Sequence, residues 1–410
     1  MSTTPPTADA ASDTLLITVT GKDKPGVTSA IFDTAARAGV AVLDVEQIVV
    51  RRRLVLGVLV TAPRDTKRFR QAIERSVADL GMAVDIDRGT GDNRTRREGR
   101  THVTVIGSPL RASAMAAIAG RIADAGGNID RIERMARYPV TAIELHVSGA
   151  APDALRSLLT AEATASGIDV AVQPATMLRH GVRLIVMDVD STLIEGEVIE
   201  KLAEHAGHGP EVAEVTERAM QGELDFAASL QARVALLQGL DASVLDEVYD
   251  AIVINPGART LVRTLRRLGY RFAIVSGGFS QITDRLAEDL GIHRARANTL
   301  EIVDGKLTGR VVGEIVDRAA KARALREFAA DLGIPEAATI AIGDGANDLD
   351  MLAAAGLGIA YNARPVVQDA ADTSLNVPYL DTIMYLLGIT REEIEAADAA
   401  DGIITPAPPV

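Results

Sequence analysis

The sequence predicts an α/β protein with a Rossmann-like parallel sheet and an inserted helical cap, preceded by two ferredoxin-like βαββαβ domains. Three observations lead to this fold class. An internal repeat fills the first 175 residues, strands alternate with helices from residue 181 onward, and a long helical stretch interrupts that alternation between residues 195 and 253. A chain of 410 residues is also long enough to form several domains.

Each copy of the amino-terminal repeat has a strand, an amphipathic helix, two further apolar runs, a second helix and a last strand. The copies match at the end of the first helix, where Ala38-Gly39 corresponds to Ala125-Gly126. This order is that of the ferredoxin-like fold, with both helices on one face of an antiparallel sheet. The expected segments are a polar tail over residues 1–13, a first domain over 14–88, a solvated linker over 89–100 and a second domain over 101–175.

From Gly181 onward, buried-type strands end directly in polar or glycine-rich loops. We predict these strands at 184–187, 272–275 and 339–342. Ligands bind outside the carboxyl ends of strands in open α/β sheets, so the three loops are expected to meet at one site. The expected segments are an α/β domain over residues 181–395, its helical cap over about 195–255, and a tail over 396–410.

The composition excludes several classes of function. A formal net charge of −13 argues against nucleic-acid binding, which needs a basic surface. No apolar run is long enough to span a membrane, and the amino terminus lacks the pattern of a secretory signal, so we expect a cytoplasmic protein. The absence of cysteine excludes disulfides, thiolate catalysis and cysteine zinc sites.

The six histidines are scattered along the chain. His205 and His208 are the only pair close in sequence, and the glycines beside them suggest a solvated helix end. Any divalent metal is therefore expected to be bound through oxygen, which favours magnesium.

Carboxylates cluster at two of the three predicted strand ends. Asp188 and Asp190 follow the first strand, and Asp344 and Asp348 follow the third. Aspartates are also common in surface turns, so one such pair alone would be ambiguous. Four carboxylates at one place repel each other unless a cation is present, and Mg²⁺ prefers carboxylates together with phosphate oxygens.

This arrangement suits transfer of a phosphoryl group. A carboxylate such as Asp188 can act as a covalent nucleophile, and a neighbouring one such as Asp190 can protonate the leaving group and later activate water. Ser276 and the amide of Gly277 can hold phosphate oxygens, because glycine allows close approach of the backbone. Lys321 is the candidate that completes the charge balance.

The sequence resembles the haloacid dehalogenase-like superfamily and, within it, the phosphoserine phosphatase family. The runs at 188–193, 276–278 and 343–348, together with Lys321, match the four motifs of that superfamily in order. The resemblance covers about residues 181–395.

The resemblance implies hydrolysis of phosphoserine to serine and phosphate, the last step of serine biosynthesis, through an aspartyl-phosphate. It implies that Asp188 is the nucleophile and Asp190 the general acid and base. It also implies that Mg²⁺ is bound by Asp188, by the main-chain oxygen of Asp190 and by Asp344, while Asn347 and Asp348 assist phosphate and metal binding.

The substrate assignment depends on the cap. Phosphoserine carries an ammonium and a carboxylate besides its phosphate, and the resemblance assigns these groups to Glu197 and Arg233. Arginine suits a carboxylate because its planar fork can bind both oxygens. Met220 and Phe226 resemble the apolar lid of the family.

The two amino-terminal repeats resemble ACT domains, which often bind amino acids and regulate metabolic enzymes. The first copy keeps the expected turn before its helix, with Gly21 and Gly26. The second keeps Gly107 but lacks the Pro-Gly pair. The resemblance implies L-serine, the product, as a feedback ligand, and a homodimer formed through the ACT-like sheets.

Two other functions compete with this hypothesis. One is a phosphatase acting on phosphoserine or phosphothreonine in proteins, against which a closed cap with charges for a free amino acid argues. The other is a non-catalytic amino-acid sensor, against which the presence of Asp188, Asp190, Lys321 and Asp344 argues.

Overall fold

The structure is a computed structural model that describes residues 13–91, 100–176, 181–220 and 225–404, without the side chains of residues 213 and 217–220. The side chain of the predicted lid residue Met220, most of the predicted linker and the two ends of the chain therefore lie outside the described residues. The chain divides into two units, residues 1–96 and 97–410.

The first unit contains one copy of the repeat. Its elements are β1 (Asp13–Lys22), α1 (Val27–Ala38), β2 (Val42–Val50), β3 (Arg53–Thr61), α2 (Thr66–Ala78) and β4 (Ala83–Thr90). The strands form an antiparallel sheet in the order β2-β3-β1-β4. Alternate residues of β1, among them Ile17 and Val19, are fully buried in one core with Ile31 of α1 and Ile73 of α2. The predicted ferredoxin-like plan is confirmed.

The second unit begins with the other copy. Its elements are β5 (Thr101–Gly107), α3 (Ala112–Asp124), β6 (Asn128–Ala136), β7 (Thr141–Ser148), α4 (Pro152–Ser166) and β8 (Asp169–Pro174). The strand order β6-β7-β5-β8 repeats that of the first copy. Val103 and Val105 of β5 pack with Ile118 of α3, whereas Ile106 and Ala142 belong to a core shared with the following α/β domain.

The α/β domain follows in the same unit. Its elements are β9 (Leu184–Met187), α5 (Val198–Ala206), α6 (Gly209–Met220), α7 (Phe226–Ala235), α8 (Val244–Asp250), α9 (Ala258–Arg267), β10 (Arg271–Phe279), α10 (Ser280–Leu290), β11 (Arg294–Val303), β12 (Lys306–Val312), α11 (Arg318–Asp331), β13 (Thr339–Gly343), α12 (Leu349–Ala354), β14 (Leu357–Tyr361), α13 (Pro365–Gln368), β15 (Thr373–Leu375), α14 (Ile383–Leu386) and α15 (Arg391–Ala400).

These strands form a seven-stranded sheet in the order β12-β11-β10-β9-β13-β14-β15. Only β12 runs antiparallel to its neighbour. Strand β9 is central, and Ile185 lies in register with Phe272 of β10 and Ile340 of β13. The carboxyl ends of the three predicted strands are therefore neighbours, as the sequence predicts. Helices α5 to α8 form the inserted cap.

The tail predicted from residue 396 begins too early, because α15 continues to Ala400. Asp398 on this helix is completely buried and accepts hydrogen bonds from Arg263 (2.6 Å) and Arg267 (2.7 Å) of α9. The alanine-rich sequence around Asp398 gives no indication of these ion pairs, because both arginines lie far away along the chain. None of the helices in the described part of the chain is long and apolar enough to cross a membrane.

Candidate active site

Asp188 is the first residue after the central strand β9, and its side chain is almost completely buried. Its backbone N–H donates to the carbonyl of Ile342 on β13 (2.9 Å). Its Oδ1 accepts a hydrogen bond from the amide of Val189 (2.8 Å), and its Oδ2 lies 2.8 Å from Lys321 Nζ. The sheet therefore holds this carboxylate rigidly at the strand end.

Lys321 on α11 is fully buried and lies between two carboxylates. Besides its contact with Asp188, its Nζ donates to Asp348 Oδ1 (2.7 Å). Burial alone would lower the pKa of Lys321, but the charges of Asp188 and Asp348 outweigh it and raise that pKa above its ordinary value. Lys321 is therefore a permanent cation at the base of the site.

Asp344 and Asp348 follow β13, as predicted. Asp344 Oδ1 accepts a hydrogen bond from Thr192 Oγ1 (2.9 Å), and Asp348 Oδ2 accepts one from the amide of Gly345 (3.0 Å). Burial, with the nearby charge of Asp348, raises the pKa of Asp344 to about 6. Burial and the same neighbour also raise the pKa of Asp188. The site thus carries more negative charge than Lys321 alone neutralises.

The donor set fits a hard divalent cation. Asp188, Asp344 and Asp348 each offer one carboxylate oxygen, and these atoms lie within 4.8 Å of one another. Asp188 and Asp348 each contact Lys321 and accept a hydrogen bond from a backbone amide, and Asp344 accepts one from Thr192, so the cluster offers Mg²⁺ carboxylate oxygens that are already oriented. The side chain of Asp190 is not part of this cluster.

The side chain of Asp190 is instead held by two donors. The amide of Val198, at the start of α5, donates to Oδ1 (2.8 Å), and Ser276 Oγ donates to Oδ2 (3.1 Å). Burial raises the pKa of Asp190 above its ordinary value. Ser276 Oγ also accepts a hydrogen bond from the amide of Gly278 (2.7 Å). Ser276 therefore connects the carboxyl-terminal part of β10 to Asp190.

Gly277 lies within β10, which continues to Phe279 rather than ending at residue 275 as predicted, and it faces the cap. A Cβ at this position would come within 2.9 Å of Phe226 Cζ on α7, so only glycine lets the two elements approach. Its carbonyl accepts a hydrogen bond from Asn298 Nδ2 (2.8 Å), while Asn298 Oδ1 accepts one from the amide of Val316 (2.8 Å). Asn298 thus holds the carboxyl-terminal part of β10 from the neighbouring strand β11.

Asp188, Asp190, Gly277 and Asp344 line a cavity of about 640 Å³ between the sheet and the cap, whereas Lys321 and Ser276 lie behind this lining. The cavity is also lined by Glu197, Phe226, Arg233, Asn347, Arg318 and Arg364. Glu197 precedes α5 and Arg233 lies on α7, with 3.7 Å between Glu197 Oε2 and Arg233 Nη1. Burial and the charge of Asp190 raise the pKa of Glu197. The cavity therefore presents one carboxylate and one guanidinium beside Asp188 and Asp190.

The three glycines predicted to be regulatory lie elsewhere. Gly26 adopts a φ of 96° at the start of α1, a conformation that favours glycine. A Cβ on Gly21 would come within 2.5 Å of Met82 Sδ. Gly107 lines a separate cavity of about 620 Å³, together with Asp369 and Asn376 of the α/β domain. A regulatory role for these glycines stays a prediction.

Sequence reasoning did not assign a role to four residues of the site. Thr192 positions Asp344, Asn298 positions Gly277, and Arg318 and Arg364 line the cavity. Thr192 belongs to the first motif, so its place in the site could have been predicted from the sequence. The other three residues lie outside the motifs, and only the fold brings them to the site.

Comparisons with known proteins agree with this architecture. The haloacid dehalogenase-like hydrolase family matches residues 185–353, and ACT domain families match residues 13–87 and 100–173. The chain is 61% identical to the phosphoserine phosphatase of Streptomyces coelicolor over 94% of each chain. It is 52% identical to phosphoserine phosphatase SerB2 of Mycobacterium tuberculosis, over 95% of this chain and 97% of that one.

A solved structure gives the same result for the fold. The crystal structure of a probable phosphoserine phosphatase from Vibrio cholerae superposes with a TM-score of 0.57 and 34% identity, covering 73% of this chain and 88% of that one. The Streptomyces and Mycobacterium relatives match this chain almost from end to end, over the ACT domains as well as the phosphatase domain. The chain therefore belongs to the phosphoserine phosphatase family of haloacid dehalogenase-like hydrolases.

Proposed function

We propose that this enzyme hydrolyses O-phosphoserine to L-serine and phosphate, the last step of serine biosynthesis. The observation that carries the proposal is the set of side chains at one cavity. A buried, lysine-paired aspartate at the end of a central strand lies beside the Glu197 and Arg233 side chains, which match the two charges of a free amino acid.

Asp188 acts as the nucleophile and forms an aspartyl-phosphate. Its Oδ1 and Oδ2 are oriented by the amide of Val189 and by Lys321, so the attacking carboxylate loses little freedom on reaction. The positive charge of Lys321 offsets repulsion between this carboxylate and the anionic phosphate. Phosphoryl oxygens bind amides at the carboxyl-terminal part of β10, which Asn298 holds in place.

Asp190 acts as general acid and then as general base. Its raised pKa favours the protonated form, which donates to the seryl oxygen as that oxygen leaves. The resulting carboxylate then takes a proton from the water that attacks the aspartyl-phosphate. The Val198 amide and Ser276 hold the side chain in one orientation for both steps.

Mg²⁺ would be held by Asp188, Asp344 and the main-chain oxygen of Asp190. When bound, it neutralises charge on the carboxylates and on the phosphoryl oxygens. Removal of metal with EDTA is therefore expected to abolish turnover, and added Mg²⁺ to restore it. Phosphate release measured before and after readdition checks this, and turnover that persists in EDTA would contradict it.

Glu197 binds the substrate ammonium and Arg233 its carboxylate. The distance of 3.7 Å between their charged atoms is too long for a direct hydrogen bond, so each is available to a substrate group. Arg233→Ala is expected to weaken kcat/KM for phosphoserine by about 2–4 kcal/mol, which is about 30- to 1000-fold.

Phosphoethanolamine gives this prediction a matched control, because it keeps the ammonium and lacks the carboxylate. Arg233→Ala should leave its turnover nearly unchanged, whereas Glu197→Gln should weaken both substrates. Arg310→Ala removes an exposed arginine paired with Glu301 and should affect neither. An equal loss on both substrates in Arg233→Ala would mean that Arg233 does not bind the carboxylate.

A phosphoester panel tests the substrate class. Free phosphoserine should be hydrolysed far faster than a phosphoserine peptide blocked at both termini, because the peptide has no ammonium or carboxylate for Glu197 and Arg233. Comparable rates would favour the competing hypothesis of a phosphatase that acts on phosphoserine or phosphothreonine in proteins.

Feedback by L-serine through the ACT domains, a homodimer and a cytoplasmic location stay predictions. ACT domains at residues 13–87 and 100–173 support the first. Calorimetry with L-serine tests it: serine that binds only in competition with phosphoserine would exclude regulation through these domains.

A further inference from the structure

A second cluster of side chains with metal-binding chemistry lies in the second ACT domain. It consists of His102 on β5, Glu133 on β6, and Glu144 and His146 on β7. In the antiparallel register His102 lies opposite His146, and Glu133 lies opposite Glu144. Opposite residues share a face of a sheet, as do residues two apart on one strand. All four side chains therefore project from one face, the face away from α3 and α4.

The distances between their polar atoms match those between ligands of one metal ion. Glu144 Oε1 lies 3.1 Å from His102 Nδ1 and 3.3 Å from His146 Nε2, and Glu133 Oε2 lies 3.6 Å from His146 Nε2. Ligands about 2.0–2.2 Å from a zinc ion, at tetrahedral or octahedral angles, lie about 3.0–3.6 Å from one another.

One nitrogen of each imidazole is buried and has no hydrogen bond to another described residue. Among the described residues, neither His102 Nδ1 nor His146 Nε2 has a hydrogen-bond partner, although both lie close to the same oxygen of Glu144. The Glu144 side chain is only 4% exposed. Buried polar atoms are usually paired, so two unpaired nitrogens aimed at one carboxylate oxygen indicate a missing ligand. Glu133, at 38% exposed, leaves a path from solvent.

The ligand types indicate which class of metal ion this cluster would bind. Imidazole together with carboxylate suits zinc and related transition metals, whereas magnesium and calcium prefer oxygen alone. We propose that the second ACT domain binds a divalent ion of the zinc class through His102 Nδ1, His146 Nε2 and Glu144 Oε1. Glu133 Oε2 or a water completes the shell. Arg131 Nη2 binds the other oxygen of Glu133 (2.6 Å) and orients it.

The ion would connect three neighbouring strands of the domain. Residues Ile106 and Ala142, farther along β5 and β7 on the same face, pack in the core shared with the phosphatase domain. Bound zinc therefore stabilises the sheet that adjoins the catalytic domain. Since a ligand that binds only the folded state stabilises it, zinc is expected to raise the Tm.

Metal content of the full-length protein tests the proposal. The chain is stripped of metal and dialysed against Zn²⁺ in an excess of Mg²⁺, which competes with zinc for the carboxylates around Asp188. We expect one tightly bound zinc per chain by mass spectrometry, and none in His102→Gln/His146→Gln. His205→Gln/His208→Gln is the matched control, because these histidines are exposed, and it should keep its zinc.

Two further measurements separate the sites and guard against misfolding. Asp344→Asn should lose Mg²⁺-dependent turnover and keep zinc, so failure of the zinc proposal is distinguishable from failure of the proposed function. Cobalt substitution should give a visible spectrum in the wild type that single His146→Gln changes or loses. Absence of zinc from the wild type, equal zinc in the wild type and His102→Gln/His146→Gln, or a cobalt spectrum unchanged in His146→Gln, would overturn the proposal.

Discussion

Asp188→Asn is expected to lower kcat for phosphoserine by a factor of about 10⁴ or more, the scale for loss of a covalent nucleophile. The amide occupies the same volume and is a very poor nucleophile. It also removes one of the carboxylates that we propose to hold Mg²⁺. Steady-state phosphate release measures the effect, and substantial residual turnover would contradict the covalent mechanism.

The same substitution should leave the fold intact. Burial and the charge of Asp348 raise the pKa of Asp188, so its ionised form is disfavoured in the metal-free folded protein. A raised carboxyl pKa means that ionisation at neutral pH reduces the free energy of unfolding, and a neutral amide removes that penalty. Chemical denaturation of the metal-free variant should therefore show little loss of stability. A large loss would mean that inactivity reflects misfolding.

Lys321→Met is expected to abolish activity and to lower the free energy of unfolding. Lys321 is fully buried between Asp188 and Asp348, and its loss leaves two buried carboxylates without their cation. Breaking a buried ion pair typically costs about 3–5 kcal/mol. The free energy of unfolding, measured by urea titration without metal, should fall by about that amount.

Two controls test the assigned cause. Arg323→Ala, on the same helix, removes an exposed cation paired with Glu314 and should change stability little. Adding Asp348→Asn to Lys321→Met removes one of the unpaired carboxylates and should recover part of the stability. If the double variant is less stable by the sum of the single effects, the loss does not come from unpaired charge.

The grouping of the candidate site residues could be predicted because its signals are local. In the sequence, short apolar runs are followed directly by Asp188, Ser276 and Asp344, and neighbouring parallel strands bring these positions together. The ferredoxin-like repeats were predictable for the same reason, since alternating apolar residues specify their strands.

The remaining features depend on contacts between distant parts of the chain. Asn298 reaches Gly277 from the next strand, and Asp398 is buried against α9. His102 and His146 appear scattered in the sequence, and only strand register places them side by side. The inference that any metal binds through oxygen fits the carboxylates around Asp188, whereas the zinc site proposed for the second ACT domain has imidazole donors that the spacing of the histidines does not reveal.

The identity of the nucleophile is tested most directly by trapping the intermediate. The enzyme is mixed with phosphoserine and Mg²⁺, quenched in acid during turnover, digested and examined by mass spectrometry. We predict one phosphoryl group on the peptide that contains Asp188, labile to hydroxylamine and absent from Asp188→Asn. A phosphoryl group on a different residue, or turnover with no labelled enzyme even when Asp190→Asn slows breakdown of the intermediate, would contradict covalent catalysis by Asp188.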